Sequence, residues 1–163
     1  MKIALVICPI WNIEQPPLSI AYISGALKSA GHDVCCYDFS VDMIEKLPVD
    51  IKTEFTNKYL QHSWYTEFEY WRKKLLLDSF IDKWANDIIS NTPEIIGFSI
   101  YDSTLSVSLL LAEEIKKRTP QTLIVFGGPS CDNHELVLNK QLDFLVFGEG
   151  EETIIEFVEK IAK

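Results

Sequence analysis

The sequence lacks several features that would place it in a common functional class. It has only 15 lysines and arginines against 24 aspartates and glutamates, which gives a net charge of −9. Nucleic acids and anionic membrane surfaces are bound mainly through clustered cations, so neither is expected as a partner. No apolar run reaches the roughly 20 residues that a membrane-spanning helix needs. The short apolar start before Pro9 does not have the layout of a secretion signal.

Cysteine and histidine are also scarce. The cysteines, at positions 8, 35, 36 and 131, show neither a Cys-x-x-Cys spacing nor a disulfide framework. The 3 histidines have no second ligand at a metal-binding distance along the chain. We therefore expect a cytoplasmic protein without a protein-ligated metal. No nucleophile is paired with a base, so no catalytic residue is predicted.

What the chain does have is a regular alternation of short apolar strands and helical segments. Such alternation is typical of βαβ units that build a parallel sheet covered on both faces. Strands are predicted at 2–8, 33–38, 94–99, 122–126 and 143–147. With 163 residues, the chain has room for one domain, residues 1–163. The predicted fold is a flavodoxin-like (Rossmann-like) α/β domain, a doubly wound parallel sheet in the order 2-1-3-4-5.

The segment between the second and third strands is irregular. Residues 40–92 are far longer than an ordinary crossover and hold nine of the nineteen aromatic residues. Helical spacing predicts the crossover helix over Leu75–Ile89, preceded by an insertion of helices or loops. The aromatic residues are expected to serve mainly in packing. The alternative is a cap over a ligand or a docking surface for another domain.

Doubly wound sheets bind ligands beyond the carboxyl ends of their strands, which directs attention to the loops there. The loop after the first strand, residues 9–17, has no glycine or threonine to hold a flavin phosphate. The strand ends lack the acidic cluster of a phosphate-accepting site. The dinucleotide fingerprint Gly-x-Gly-x-x-Gly is missing as well. These three ligand classes are therefore disfavoured.

Four short motifs nevertheless occur in order at the strand ends: Pro16-Pro17-Leu18-Ser19, Gly97-Phe98-Ser99, Gly127-Gly128-Pro129 and Gly148-Glu149-Gly150. In combination they resemble the cobalamin-binding domain that precedes the catalytic barrel in many radical SAM enzymes. The resemblance covers nearly the whole chain, apart from the aromatic insertion. It implies a cofactor module that is not catalytic alone. The parent enzyme would be a methyltransferase in the first place, although ring contraction and other rearrangements occur among relatives.

The resemblance also implies how the cofactor would be held. Cobalamin would bind base-off, with the corrin ring over the sheet edge and the nucleotide tail inside the fold. Ser99 would hydrogen-bond the dimethylbenzimidazole, and Gly127 and Gly128, followed by Pro129, would let the tail lie against bare backbone. The remaining candidates would form the rim (Tyr101, Asp102, Ser103, Thr104, Gly148, Glu149 and Gly150) or lie beneath or beside the ring (Pro16, Pro17 and Leu18).

The chain departs from the family pattern at several points. No histidine lies between Cys8 and Leu18, so this domain is expected to give cobalt no axial histidine. Tyr101 stands where leucine is usual, and Ser130 where histidine is common. The Cys-x-x-x-Cys-x-x-Cys motif is absent, so S-adenosylmethionine and a 4Fe–4S cluster are expected only in a radical SAM barrel downstream in the parent chain.

A second interpretation of the same residues stays open. Gly127 and Gly128 could serve only a tight turn, and Ser99 could cap a loop through nearby backbone groups. The domain would then keep the fold without cobalamin and act in protein interaction or substrate recognition.

Overall fold

A computed structural model describes residues 1–11, 13–55, 60–132, 136 and 139–161. Its centre is a five-stranded sheet in the order β2-β1-β3-β4-β5, in which every pairing is parallel. This confirms the predicted fold and strand order. The strands are β1 (Lys2–Ile7), β2 (Asp33–Asp38), β3 (Ile95–Ser99), β4 (Leu123–Gly127) and β5 (Phe144–Val146).

The helices alternate with these strands and surround the sheet. They are α1 (Leu18–Ser29), α2 (Phe39–Lys46), α3 (Val49–Phe55), α4 (Leu60–Thr66), α5 (Phe68–Lys74), α6 (Leu77–Ser90), α7 (Asp102–Arg118) and α8 (Gly150–Ile161). Helix α1 starts after Pro17, whose φ of −71° suits a helix entry. It ends before Gly31, whose φ of 87° is unfavourable for other residues. The sequence also predicts a short helix near 132–139, between the fourth and fifth strands, and this segment falls largely outside the described residues.

Two apolar layers hold the helices to the sheet. On one face, alternate strand residues such as Leu5 and Val125 pack against Ile20 and Leu27 of α1 and Ile154 of α8. The opposite face carries the larger core, which includes the insertion helices and α7. Both faces are therefore covered, as the continuous apolar strands predict.

The aromatic insertion packs into the core of the opposite face. Trp64, Trp71 and Trp84 are each at most 2% exposed. Their indole nitrogens still find acceptors, as buried N–H groups must: Trp84 Nε1 donates to Asp42 Oδ2 at 2.8 Å. Trp64 Nε1 donates to the backbone oxygen of Ser103 at 2.9 Å. The insertion therefore touches the start of α7 as well as its own helices.

Strand ends differ from the prediction by at most one residue. Strand β4 extends to Gly127, because this glycine pairs with Ser99 on one side and Val146 on the other. Strand β5 starts at Phe144, one residue later than predicted. The carboxylate of Asp143, the residue before it, accepts a hydrogen bond from the backbone N–H of Ile124. In the described part of the chain, none of the helices has the length and apolar character needed to cross a membrane.

Candidate functional site

A cleft of about 270 Å³ opens at the carboxyl ends of the strands, between the sheet and helices α1 and α8. It lies at the topological switch of the sheet, where doubly wound folds bind ligands. The sheet floor and the two helices are mostly apolar, and the turn before α8 closes one side. The lining residues are Leu5, Ser19, Ile20, Ile23, Gly97, Phe98, Ser99, Val125, Gly127, Gly128, Val146, Gly148, Glu149, Gly150, Glu151 and Ile154.

The cleft exists because small residues occupy one face of the central strands. Gly97 and Ser99 on β3 and Gly127 on β4 are register neighbours, since Ser99 pairs with Gly127. Larger residues, Leu5 and Val146, flank them on β1 and β5. A Cβ on Gly97 would come within 3.0 Å of Leu5 Cδ2, so Leu5 covers part of that glycine. Side chains at alternate strand positions share a face, and the absent side chain of Gly127 and the small one of Ser99 leave a hollow beneath α1 and α8.

The two adjacent glycines differ in whether the backbone requires glycine at their position. Gly128 has a φ of 124°, and a Cβ there would lie 2.6 Å from the backbone oxygen of Ile100. The backbone itself therefore requires glycine at 128, whatever fills the cleft. A Cβ on Gly127 would meet Val146 Cβ at 3.6 Å, an ordinary contact. Position 127 would thus accept a side chain, which would occupy the cleft.

A pair of hydroxyl groups crosses the cleft from the sheet to α1. Ser99 Oγ donates a hydrogen bond to Ser19 Oγ at 2.8 Å. Ser99 is 8% exposed, and its backbone oxygen accepts from Thr104 Oγ1 at 3.4 Å. These two hydroxyls are polar groups in a cleft whose strand floor and α1 wall are otherwise apolar, so they can orient a polar atom of a ligand.

The turn from β5 to α8 forms the acidic side of the cleft. Gly148 has a φ of 78°, which favours glycine. A Cβ on Gly150 would come within 3.0 Å of Ile23 Cδ1, so this glycine lets α8 approach α1 closely. Glu149 and Glu151 lie at the start of α8, where the helix dipole favours negative charge. Across the described ranges, no group of three or more His, Cys, Asp or Glu side chains could hold a metal ion.

Six of the candidate residues from the sequence line this cleft, and eight do not. Ser99, Gly127, Gly128, Gly148, Glu149 and Gly150 are the six. Pro16 and Pro17 precede α1, and Leu18 begins it with a largely exposed side chain. These three lie next in sequence to Ser19 at the cleft mouth. Pro129 follows Gly128 in an exposed turn.

The segment 101–104 shapes the loop after β1 and lies outside the cleft. The Tyr101 ring packs on Trp11, with ring centroids 4.4 Å apart. Ser103 Oγ donates to the backbone oxygen of Ile10 at 2.7 Å. Thr104 Oγ1 accepts from the backbone nitrogen of Tyr101 at 3.0 Å, which caps the start of α7. Asp102, the first residue of α7, is exposed.

Sequence reasoning missed the residues that α1 and the sheet floor bring to the cleft. Ser19, Ile20 and Ile23 line it from α1, and apolar strand residues line it from the sheet. A signal was available for the helix residues. Ser19 belongs to one of the four strand-end motifs, and Ile23 follows it at helical spacing.

Comparison with known proteins assigns the chain to a family. The family model "B12 binding domain" matches residues 72–158, just over half of the chain. The chain therefore belongs to the B12-binding domain family. The resemblance drawn from the strand-end motifs is confirmed.

Two individual proteins show similarity over most of the chain. The anaerobic magnesium-protoporphyrin IX monomethyl ester cyclase of Synechocystis sp. is 27% identical over 148 residues, which are 89% of this chain and 23% of the cyclase. The radical S-adenosylmethionine methyltransferase TsrM from Kitasatospora setae, solved with tryptophan substrate and a SAM analog, matches with a TM-score of 0.58 at 17% identity. That match covers 99% of this chain and 26% of TsrM, and it shows a shared fold. The chain spans about a quarter of the length of these proteins.

Proposed function

We propose that this chain binds cobalamin, with the nucleotide tail in the cleft between the sheet and helices α1 and α8. The observation that carries the proposal is the hollow beside Ser99 and Gly127 on the central strands. No described side chain of the sheet fills this space, although the rest of the same face is apolar core. Family membership supplies the chemical class of the ligand.

The residues around the hollow suit a flat heteroaromatic base. Leu5, Val125 and Val146 offer apolar contact to its faces and edges. A ring nitrogen buried among them would need a donor, because an unsatisfied buried polar atom is costly. The hydroxyl of Ser99 is such a donor at the inner end of the cleft. The chain thus meets both the apolar and the polar requirement of the tail.

The proposed binding mode is base-off, without a histidine from this domain beneath the metal. The loop 9–17, which lies at the same sheet edge, contains no histidine to replace the displaced base. When bound, cobalamin would supply methyl-group transfer chemistry to the parent enzyme. The part played by the chain is to position the cofactor and to exclude water from the tail.

The parent protein is proposed to be a radical SAM enzyme, with a methyltransferase favoured. Two observations support this: TsrM is a radical S-adenosylmethionine methyltransferase, and this chain covers only 23% of the cyclase and 26% of TsrM. The S-adenosylmethionine and the 4Fe–4S cluster would belong to its barrel.

An exposed apolar rim lies next to the cleft-lining residues of α1 and of the turn after β5. It consists of Leu18, Tyr22 and Phe147, whose side chains are 57–64% exposed. We propose that this rim faces the barrel. The free thiols of the described cysteines agree with a cytoplasmic location.

The experiment that tests the proposal is titration of the purified chain with hydroxocobalamin, followed by desalting and a visible absorption spectrum. Retained cobalamin with a base-off spectrum is the expected result. The matched variants are Gly127→Leu, which places a side chain in the cleft, and Gly25→Ala, where a Cβ on the exposed face of α1 meets nothing within 4 Å. Only the first should lose cobalamin. If neither the chain nor its full-length parent retains cobalamin, the fold serves as an interaction scaffold.

A further inference from the structure

The hydroxyl pair in the cleft has one proton that is not used in the hydrogen bond between the two serines. Ser99 and Ser19 share one hydrogen bond of 2.8 Å, and each hydroxyl carries one proton and two acceptor lone pairs. One proton is used within the pair and the other remains for a partner in the cleft. The two residues are 80 positions apart in sequence, on β3 and α1, so the pair depends on the folded sheet.

We propose that Ser19 is a second specificity residue for the nucleotide base, acting through Ser99. In the present arrangement Ser99 donates to Ser19. With a ring nitrogen as acceptor, the bond reverses: Ser99 donates to the nitrogen and Ser19 donates to the oxygen of Ser99. Hydrogen bonds in such a chain strengthen one another. This inference rests on the proposed cobalamin site and names a residue that positions its donor.

The described hydrogen bond of the Ser19 hydroxyl leads away from its own helix. Ser19 lies in the first turn of α1, and its hydroxyl bonds to Ser99 on β3. The following residue, Ile20, is buried in the core, so the helix is anchored without Ser19. The Ser19 hydroxyl contacts Ser99 and lines the cleft. A role toward a ligand therefore accounts for the residue better than a role in the helix.

The test compares two corrinoids that differ in the tail. Cobalamin carries the nucleotide base, whereas cobinamide retains the corrin ring and lacks the base. Equilibrium binding of each is measured for the wild-type chain, Ser19→Ala, Ser99→Ala, the double variant of these two positions, and Ser108→Ala. Ser108 is the matched control, because it is a buried serine on the other face of the sheet, bonded to the backbone oxygen of Thr104 at 2.8 Å. Thermal unfolding of each variant verifies that it is folded.

Ser19→Ala is expected to weaken cobalamin binding about fivefold, the usual net effect of one hydrogen bond, and to leave cobinamide binding unchanged. The losses from Ser19→Ala and Ser99→Ala should not add in the double variant, because the two hydroxyls act as one unit. Ser108→Ala should affect neither corrinoid. An equal loss for both corrinoids, or no loss for cobalamin, would overturn the role of Ser19 while leaving the site intact. Failure of the wild-type chain to bind cobalamin would overturn the proposed function itself.

Discussion

The ammonium group of Lys116 lies 2.6 Å from a carboxylate oxygen of Asp143, and the same oxygen accepts the backbone N–H of Ile124 at 2.7 Å. Lys116 also donates to the backbone oxygen of Thr122 at 2.8 Å. One carboxylate thus joins α7, the start of β4 and the residue before β5. Since β5 has only three residues and supplies Val146 to the cleft wall, this ion pair fixes one side of the site.

The first prediction concerns this ion pair. Asp143→Ala removes the acceptor of the Ile124 N–H and leaves the half-buried Lys116 without its carboxylate, so the free energy of unfolding should fall by about 1–3 kcal/mol. Urea unfolding measures the change. The control is Glu113→Ala, because Glu113 pairs with Lys117 at the surface, with side chains 44% and 60% exposed. Equal effects of the two substitutions would show that the Asp143 contacts do not hold β5.

A second prediction separates the roles of the adjacent glycines. Gly127→Leu should keep the melting temperature close to that of the wild type, because its Cβ meets only an ordinary contact at 3.6 Å, and it should abolish cobalamin retention. Gly128→Ala should lower the stability of the fold by about 1–3 kcal/mol, because φ is 124° and Ile100 blocks the new methyl group. Circular dichroism melts and cobalamin titration distinguish the two effects. A Gly127→Leu variant that binds as well as the wild type would exclude this cleft as the site of the tail.

The sheet could be predicted from the sequence because strand order in a doubly wound fold follows from a few local signals. Apolar runs mark the strands, and connection handedness then restricts the topology. Of the site residues expected from the sequence, those in the motifs at the ends of β3, β4 and β5, such as Ser99, Gly127 and Gly148, line the cleft. Sequence gives the order of such motifs along the strands, and these positions do line the cleft.

The rest of the site depends on which face of each element points inward, and this is decided by tertiary packing. The segment 101–104 lies just after β3 at the edge where the cleft opens. Two of its side chains nevertheless contact the loop after β1, since the Tyr101 ring packs on Trp11 and Ser103 bonds to Ile10. Conversely, Ser19 is hydrogen-bonded to Ser99, although the two residues are 80 positions apart in the sequence. Neither pairing has a signature in local composition. The sequence likewise does not distinguish Gly128, with its positive φ, from Gly127, because the difference arises from the backbone conformation of the folded chain.

A third prediction concerns the insertion, which bonds to the loop after β1 through Ser40 and to Ser103, a partner of that loop, through Trp64. Trp64 Nε1 and the backbone nitrogen of Ile10 both donate to the Ser103 oxygen, at 2.9 and 3.2 Å. The backbone nitrogen of Trp11 donates to Ser40 Oγ at 2.9 Å. Removing either side-chain group should therefore loosen the loop locally. Trp64→Phe and Ser40→Ala are each expected to speed amide hydrogen exchange at residues 10 and 11 about fivefold.

The control for the loop is Trp71→Phe, since the Trp71 indole donates to Ser63 Oγ within the insertion. It should leave exchange in the loop at the wild-type rate. Faster exchange in all three variants would mean that the insertion acts through general stability and does not brace the loop.

The last prediction is a pH dependence set by buried thiols. Burial raises the pKa of Cys8 from 9.0 to about 12 and that of Cys131 to about 11. Unfolding would return both groups to ordinary values, so the unfolded chain releases protons from about pH 9 while the folded chain keeps them. The stabilisation is complete below pH 9 and is lost as the pH rises toward 11 and 12. For Cys8 the loss should be about 1 kcal/mol for each pH unit in this window.

Urea unfolding at pH 8, 9 and 10 measures this slope, and Cys8→Ala should reduce it even though the substitution also lowers the stability at pH 8. Thiol labelling provides an independent measurement. Cys35 and Cys36 are exposed, whereas Cys8 and Cys131 are buried, so the native chain should label quickly at the first two positions and at all four only in denaturant. Rapid labelling of Cys8 in the native chain would show that the thiol is accessible, and the alkaline loss of stability would then need another cause.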